Sequence, residues 1–365
     1  MSKARQLAEL GNVYDDGALG NRNLIINGAM QVAQRGASLS VTSSGGYSLD
    51  RFYVQSNVGS GHTWAQVQET PSGEGFNYSA KLTVGTGATP VNDNFGRVIY
   101  YVEGYDSQAL NWGNTSPKAA TFSFWVKSSV TGSFGGCFKL QKESPFSGFY
   151  YTYTINSANT WEYKTVTVPA GVFVDGNMDS TNGIGVLVAF DLGEGPDRST
   201  TTGYNSSNGG GALGVTGADK ILATSGATWQ ITGVQLEVGD TATPFEHRSY
   251  GQELALCQRY FFKTYSSGVS PATLTVTGSF GDTATGQLYR PMPYKSFPVE
   301  MRAVPTITLY SPSTGASGKL RDDNAGADLS ALAYQTGTNG TRCYPSATPS
   351  LGNDILGHLT AEAEL

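Results

Sequence analysis

The stretch Thr228–Val238, TWQITGVQLEV, decides the fold. Trp229 and Ile231 share one parity, whereas Val234, Leu236 and Val238 share the other. A β-strand points alternate side chains to opposite faces, so the apolar side changes halfway along. Gly233 sits at the change, where a bulge inserts one residue and restores the facing. The stretch therefore reads as one long strand with a bulge at its centre.

Outward from it, nearly every segment back to Asn23 reads as strand. In Thr121–Lys127, Phe122, Phe124 and Val126 share one face, and Ser123, Trp125 and Lys127 the other. Gly183–Asp191 is apolar on both faces, the pattern of a central strand. Leu24–Ala33, Arg51–Gln55, Thr63–Glu69, Ser79–Val84, Arg97–Glu103, Phe134–Lys139, Phe149–Ile155 and Thr160–Val168 are short, β-rich and punctuated by Gly, Ser, Asn and Pro. About eleven short strands without an intervening helix define a mostly-β fold, a two-sheet antiparallel sandwich of the jelly-roll kind over residues 21–245. Gly203–Gly217 is too glycine-rich for a core and is expected as a surface loop.

A connecting helix is expected over residues 246–262, with Tyr250, Leu254, Cys257 and Phe261 forming a narrow seam suited either to packing against a sheet or to self-association. Residues 263–365 read as a smaller C-terminal β domain, with strands over Ala272–Phe280 and Thr306–Tyr310 and a thin core that an oligomer stabilises more easily than a monomer. At the other end, Ala4, Leu7, Ala8 and Leu10 share one face of a short helix. A helix this short needs a partner surface, so residues 1–20 read as an attachment helix and linker, with Leu7 and Leu10 as its contacts.

Composition removes several function classes. Charged residues are 14% of the 365, against about 25% in an ordinary soluble protein, so polar uncharged residues and glycine build the surface. Lys and Arg number 23 against 29 Asp and Glu, with no basic run, which argues against nucleic-acid binding. The longest apolar stretch, near Gly183–Phe190, falls far short of the roughly 20 residues of a membrane span. No secretory apolar segment opens the chain, and Cys137, Cys257 and Cys343 make no CxxC pair, as expected of a protein made in a reducing cytoplasm.

Residues that could carry chemistry are few. His62, His247 and His358 lie far apart, and no Walker loop, HExxH or GxSxG is present. The paired carboxylates that glycan cleavage needs have candidates in Asp191, Glu194 and Asp197, in Asp175 with Asp179, and in Asp322 with Asp323. All lie in turn contexts, where Asp bonds its own backbone. Asp191, Glu194 and Asp197 are also the first candidates for a metal, here a structural calcium, although their spacing is not that of an EF-hand. Aromatic rings are the more plausible binding chemistry, because a sugar's C–H face packs on them. Trp112, in the turn-like NWGNTS, and Trp64 are the candidates in the sandwich; local packing is the alternative for both. Trp125, Trp161 and Trp229 lie in strands and are expected in the core. In the distal domain, Tyr289, Tyr294, Tyr334 and Tyr344 sit among Gly, Ser, Thr and Asn, a mixture suited to adaptable contact loops; filling a small core is the alternative.

Three stretches resemble tail-fibre and receptor-binding proteins of tailed bacteriophages. They are NRNLIINGAMQVAQRG (Asn21–Gly36) with SLDRF (Ser48–Phe52), WQITGVQLEVGDTATPFEHRSYGQELALCQRYF (Trp229–Phe261), and GHLTAEAEL (Gly357–Leu365). The resemblance implies a lectin-like sandwich, a helix and a distal receptor-facing β domain, assembled as a homotrimer on a virion. Its partners would be a tail or baseplate protein at the N-terminus and a bacterial surface glycan or outer-membrane protein. It implies adhesion without catalysis. A decoration fibre of head, collar or tail without a receptor role, and a glycan depolymerase, are the alternatives. Sandwich modules of this shape often hold a structural calcium through an Asp near the last strand; here Gly233-Val234-Gln235-Leu236 stand there, so no cofactor is carried over. Polysaccharide-cleaving spikes usually rely on long repetitive β-helices, and no 20–30-residue repeat is visible in this sequence.

Overall fold

A computed structural model describes residues 22–140, 146–174, 178–206, 211–287 and 292–365. They fall into two compact units. One comprises residues 22–30, Ser40–Gly46 and Tyr53–Arg248; the other comprises Gln31–Leu39, Tyr47–Phe52 and Ser249–Leu365. Two short segments of the expected sandwich therefore belong to the second unit. Among the described residues no helix is long and apolar enough to cross a membrane.

The first unit contains two large sheets. One holds, side by side, Thr63–Val67, Ser79–Thr83, Thr228–Val238, Ala120–Ser128 and Glu162–Val168. The other runs Gly203–Asn205, Ser147–Ile155, Gly132–Leu140, Ile184–Asp191, Gly96–Glu103 and Phe52–Ser56. The long ladders are antiparallel. Phe122, Phe124, Phe190 and Trp229 are buried, with Phe190 edge-on to Phe124 at 5.1 Å and to Trp229 at 5.2 Å. Each such burial contributes about 1.5–3 kcal/mol.

The bulge falls where the parity places it. Register against Ala120–Ser128 shifts between Thr232 and Gln235, and Gly233 has φ +62°. Trp229, Ile231, Val234 and Leu236 are consequently all buried.

Leu24–Ala33 is not a strand. Asn27 and Met30 take left-handed backbone, and residues 26–29 turn. Leu24, Ile25 and Ile26 are buried nonetheless, held by Asn23. The Asn23 amide oxygen accepts from Ile25 N at 2.9 Å and Leu236 N at 3.1 Å, and its nitrogen donates to Val234 O at 3.1 Å. Gly28 lies so close to this strand that a Cβ there would stand 2.1 Å from Val234 O. Glu246 accepts from Asn23 N at 2.8 Å, and Arg248 donates to the carbonyls of Asn23 and Ile25. The NLIING, QLEV and PFEHR motifs thus form one polar clasp.

The Gly203–Gly217 segment is no simple surface loop. Ala212, Leu213 and Val215 are buried, the last two packing on Ile99, Cys137, Tyr150, Leu187 and Ala189 of the second sheet. Tyr150 Oη and Lys139 Nζ donate to Ala212 O at 3.0 and 3.3 Å. Leu213 and Val215 of this strap thus pack over one face of that sheet.

In the second unit, Asp354–Glu362 pairs with Phe261–Lys263, Phe280–Thr283, Thr306–Tyr310 and Lys319–Asp322. Leu309, Leu320, Ile355, Leu359 and Met301 build its core. The strand expected over Ala272–Phe280 is absent except for its last residue; its amides bond locally, as Thr273 N does to Ser270 O, and Leu274 and Val276 are exposed. The helix spans Tyr250–Gln258, shorter than expected, and starts at a reciprocal Ser249–Gln252 capping box. Residues 246–248 are held back by the clasp, and Phe261 has already entered a strand.

Arg35, Asp50, Arg51 and Glu364 form a buried ion network in this unit. Arg35 lies 3.7 Å over the Phe261 ring and Arg51 3.5 Å over the Tyr260 ring. The QRG, SLDRF, CQRYF and AEAEL motifs all feed this one cluster.

Candidate functional site

Strand parity that buries Phe122, Phe124 and Val126 turns Ser123, Trp125 and Lys127 onto the sheet's other side. Tyr163 stands directly opposite Trp125 on the neighbouring strand, with ring centroids 5.3 Å apart. Trp125 is half-buried and Tyr163 is 43% exposed, so the two rings form an open aromatic platform.

A second aromatic group faces it. Phe76, Phe245 and His247 pack mutually, with centroid separations of 4.9–5.1 Å. Loop residues 239–247 are fixed on this face by Glu237, which accepts from Thr243 N at 2.9 Å and Thr243 Oγ1 at 2.6 Å. Gln235 completes the fixing by accepting from Glu246 N at 2.9 Å. Between the two groups lies an open cleft of about 590 Å³, with Gly233 in its wall and Glu74 at its rim. A Cβ on Gly233 would stand 2.6 Å from Phe76 and 3.2 Å from Trp125, so the bulge also makes room for both rings.

The cleft combines flat apolar faces with a few polar groups: Ser123, Thr243, the Tyr163 hydroxyl, His247 and Glu74. Burial raises the Tyr163 pKa and its bond with Ser123 opposes this, while the Glu237 and Glu74 charges push it further up. Rings for C–H faces beside groups for hydroxyls are what a saccharide needs.

The sequence candidates lie elsewhere. Trp112 is fully buried, stacks on Phe173 at 4.6 Å and donates to Lys118 O at 2.9 Å, so its ring offers no face to a ligand. Trp64 is equally buried, stacked on Trp229 at 6.3 Å. Trp125 and Trp161, both expected in the core, are instead half-buried. Tyr289, like Leu7, Leu10 and Asp175, lies outside the described residues. Tyr294 and Tyr334 are exposed; Tyr294 donates to Asn339 at 2.6 Å, and Tyr334 sits edge-on to half-buried Tyr344 at 5.9 Å.

Of the seam residues, Cys257 and Phe261 are buried within the second unit, Leu254 is half-buried, and Tyr250 is exposed. They make no continuous exposed stripe, because Phe261 is no longer helical.

Asp191 and Glu194 are buried and engaged by cations: Asp191 by Lys220, Glu194 by Arg97 at 2.7 Å. Asp191 also accepts from the amides of Glu194 and Val215, so its oxygens are committed, and Asp197 points to solvent. Among the described residues no group of three or more His, Cys, Asp or Glu is placed to hold a metal ion. Asp322 accepts from Ala325 N and Asn353, and Asp179 from Thr181 N; both organise turns. His358 is buried on Tyr265 with partners at both nitrogens, Thr264 Oγ1 and Thr275 O, each at 2.9 Å.

No protein-family model matches the chain, and no curated protein matches it. Similar solved structures include a Bacteroides thetaiotaomicron protein named for sugar binding, at 12% identity over 60% of this chain and 100% of that one, TM-score 0.36. The enzymatically active domain of bacteriophage CBA120 tailspike protein 4 matches at 12% identity over 60% of this chain, TM-score 0.34, and the match spans 22% of the tailspike chain. A xylan-binding domain from Paenibacillus barcinonensis matches at 12% identity over 55% of this chain and 98% of that one, TM-score 0.30. The class is set by the sheets themselves: a mostly-β protein with a two-sheet antiparallel sandwich and a second β unit.

Proposed function

We propose that the chain is a glycan-binding adhesion protein of a bacteriophage tail and that the sandwich holds its saccharide in the cleft of Trp125, Tyr163, Phe76 and Phe245. The observation that carries the glycan reading is the half-open Trp125–Tyr163 platform facing a second aromatic group across a cleft of saccharide size. The virion setting rests on the resemblance of Asn21–Gly36, Trp229–Phe261 and Gly357–Leu365 to tail-fibre and receptor-binding proteins. In this reading the N-terminus attaches to the tail, the protein is a homotrimer, and Tyr294, Tyr334 and Tyr344 add a second contact surface. Multivalent display lets weak single sites hold a cell by avidity. The binding is non-catalytic. Among the described residues lining the cleft Glu74 is the single carboxylate, whereas glycosidic cleavage ordinarily uses a pair.

The test is competition. Purified chain is expected to bind host surface polysaccharide and to reduce phage adsorption, and the polysaccharide is expected to keep its length. Sustained shortening of the polysaccharide would replace adhesion with cleavage; no competition by any form of the chain would favour a decoration fibre.

A further inference from the structure

The cleft's electrostatics carry its specificity further, and the argument rests on the glycan-binding reading. Among the described residues lining the cleft, Glu74 is the one carboxylate and there is no lysine or arginine. The basic residues nearby are already engaged. Lys127, on the same strand face as Trp125, is ion-paired with Glu69. Lys164, next to Tyr163, pairs with Glu162 at 2.6 Å. Arg22 donates to Pro244 O and lies 3.9 Å from Glu237, and Arg248 holds Asn23, Ile25 and Glu246.

We propose that this cleft selects uncharged saccharides and rejects acidic ones such as uronates and sialates. A sugar carboxylate docked on the Trp125–Tyr163 platform meets the Glu74 charge, and the cation at the cleft wall, Arg22 on the Pro244 carbonyl, already faces Glu237. Like charges several ångströms apart at a solvated surface lower affinity by roughly 3- to 10-fold at low ionic strength, and salt screens the difference. A neutral hexose meets no such penalty.

The test is a binding screen of the full chain against a panel of neutral oligosaccharides and their C6-oxidised uronate counterparts of equal length and linkage, at about 20 and 200 mM salt, against the Debye lengths that set screening. The expected result is tighter binding of the neutral member of each recognised pair by roughly 3- to 10-fold, a ratio that narrows with salt and falls toward one in Glu74→Gln. Equal or tighter binding of the uronate overturns the selectivity while leaving glycan binding intact. Binding of no saccharide on the panel overturns the glycan reading itself, and the selectivity with it.

Discussion

Replacing Gly233 with alanine tests whether the bulge builds the cleft. At φ +62° an L-residue costs roughly 1–2 kcal/mol relative to glycine. The new Cβ would stand 2.6 Å from Phe76 Cζ, and Phe76 is buried against Phe245 and His247, so the ring moves only by disturbing that cluster. Overpacking of this kind costs about 1–3 kcal/mol. A smaller unfolded-state entropy returns about 0.4–1 kcal/mol. The net loss is roughly 2–4 kcal/mol, or a Tm decrease on the order of 5–15 °C for a unit of this size. Because Phe76 and Trp125 are the atoms displaced, saccharide binding should fall even well below the melting transition. Differential scanning calorimetry and titration calorimetry of Gly233→Ala read both effects. A variant with unchanged Tm and unchanged affinity would refute the claim that a left-handed glycine shapes this site.

Asn23→Ala strips two buried amides and one carbonyl of their partner and should destabilise the first unit by about 3–5 kcal/mol in urea unfolding. The pH dependence follows from burial. Asp50 is raised to about 6, with Arg35 opposing, and Glu194 to about 8, with Arg97 opposing and Asp191 adding to the rise. Both fold more readily when neutral, so their contribution is complete below the ordinary carboxylate range and is lost as pH climbs through 6 and then 8. Glu162 works in the opposite sense: against its partial burial, Lys164 and the groups of Ser157 and Asn156 hold it down to about 2, so its contribution disappears as pH falls from the ordinary range toward 2. Tm is therefore expected to fall between pH 5 and 8.5, and a Tm that rises across that interval would contradict the burial argument. If Leu254 lies in a trimer contact, Leu254→Asp should shift sedimentation of the full-length chain toward monomer; a wild-type monomer at micromolar concentration would remove the trimer.

Much of the sandwich was legible because parity alone sets facing. Thr228–Val238 announced its bulge through the change of apolar side at Gly233. The apolar content of Leu24–Ala33 resembles a strand, but Asn23 and Gly28 impose turns tied to a strand some 200 residues away, a long-range contact no local pattern encodes. The site was half visible. The alternation that separated Phe122, Phe124 and Val126 from Ser123, Trp125 and Lys127 already turned Trp125 outward. What the sequence lacked was the pairing that puts Tyr163 opposite Trp125 and the fold that brings Phe76 and Phe245 to face them. Trp112 misled in the opposite direction, since a polar turn hid a ring buried on Phe173. The strap, read as loop from its glycines, carries Leu213 and Val215 into a core.

The most direct measurement is the affinity of Trp125→Ala for a recognised oligosaccharide by titration calorimetry. Stacking that removes roughly 50–100 Å² of apolar surface from water contributes about 1.3–2.5 kcal/mol, so Kd should rise roughly 10- to 50-fold. The ring is half-buried against Tyr163, so the variant should lose on the order of 1–2 kcal/mol of stability and remain folded. A folded Trp125→Ala protein that binds within about twofold of wild type, far less than stacking predicts, would contradict the account.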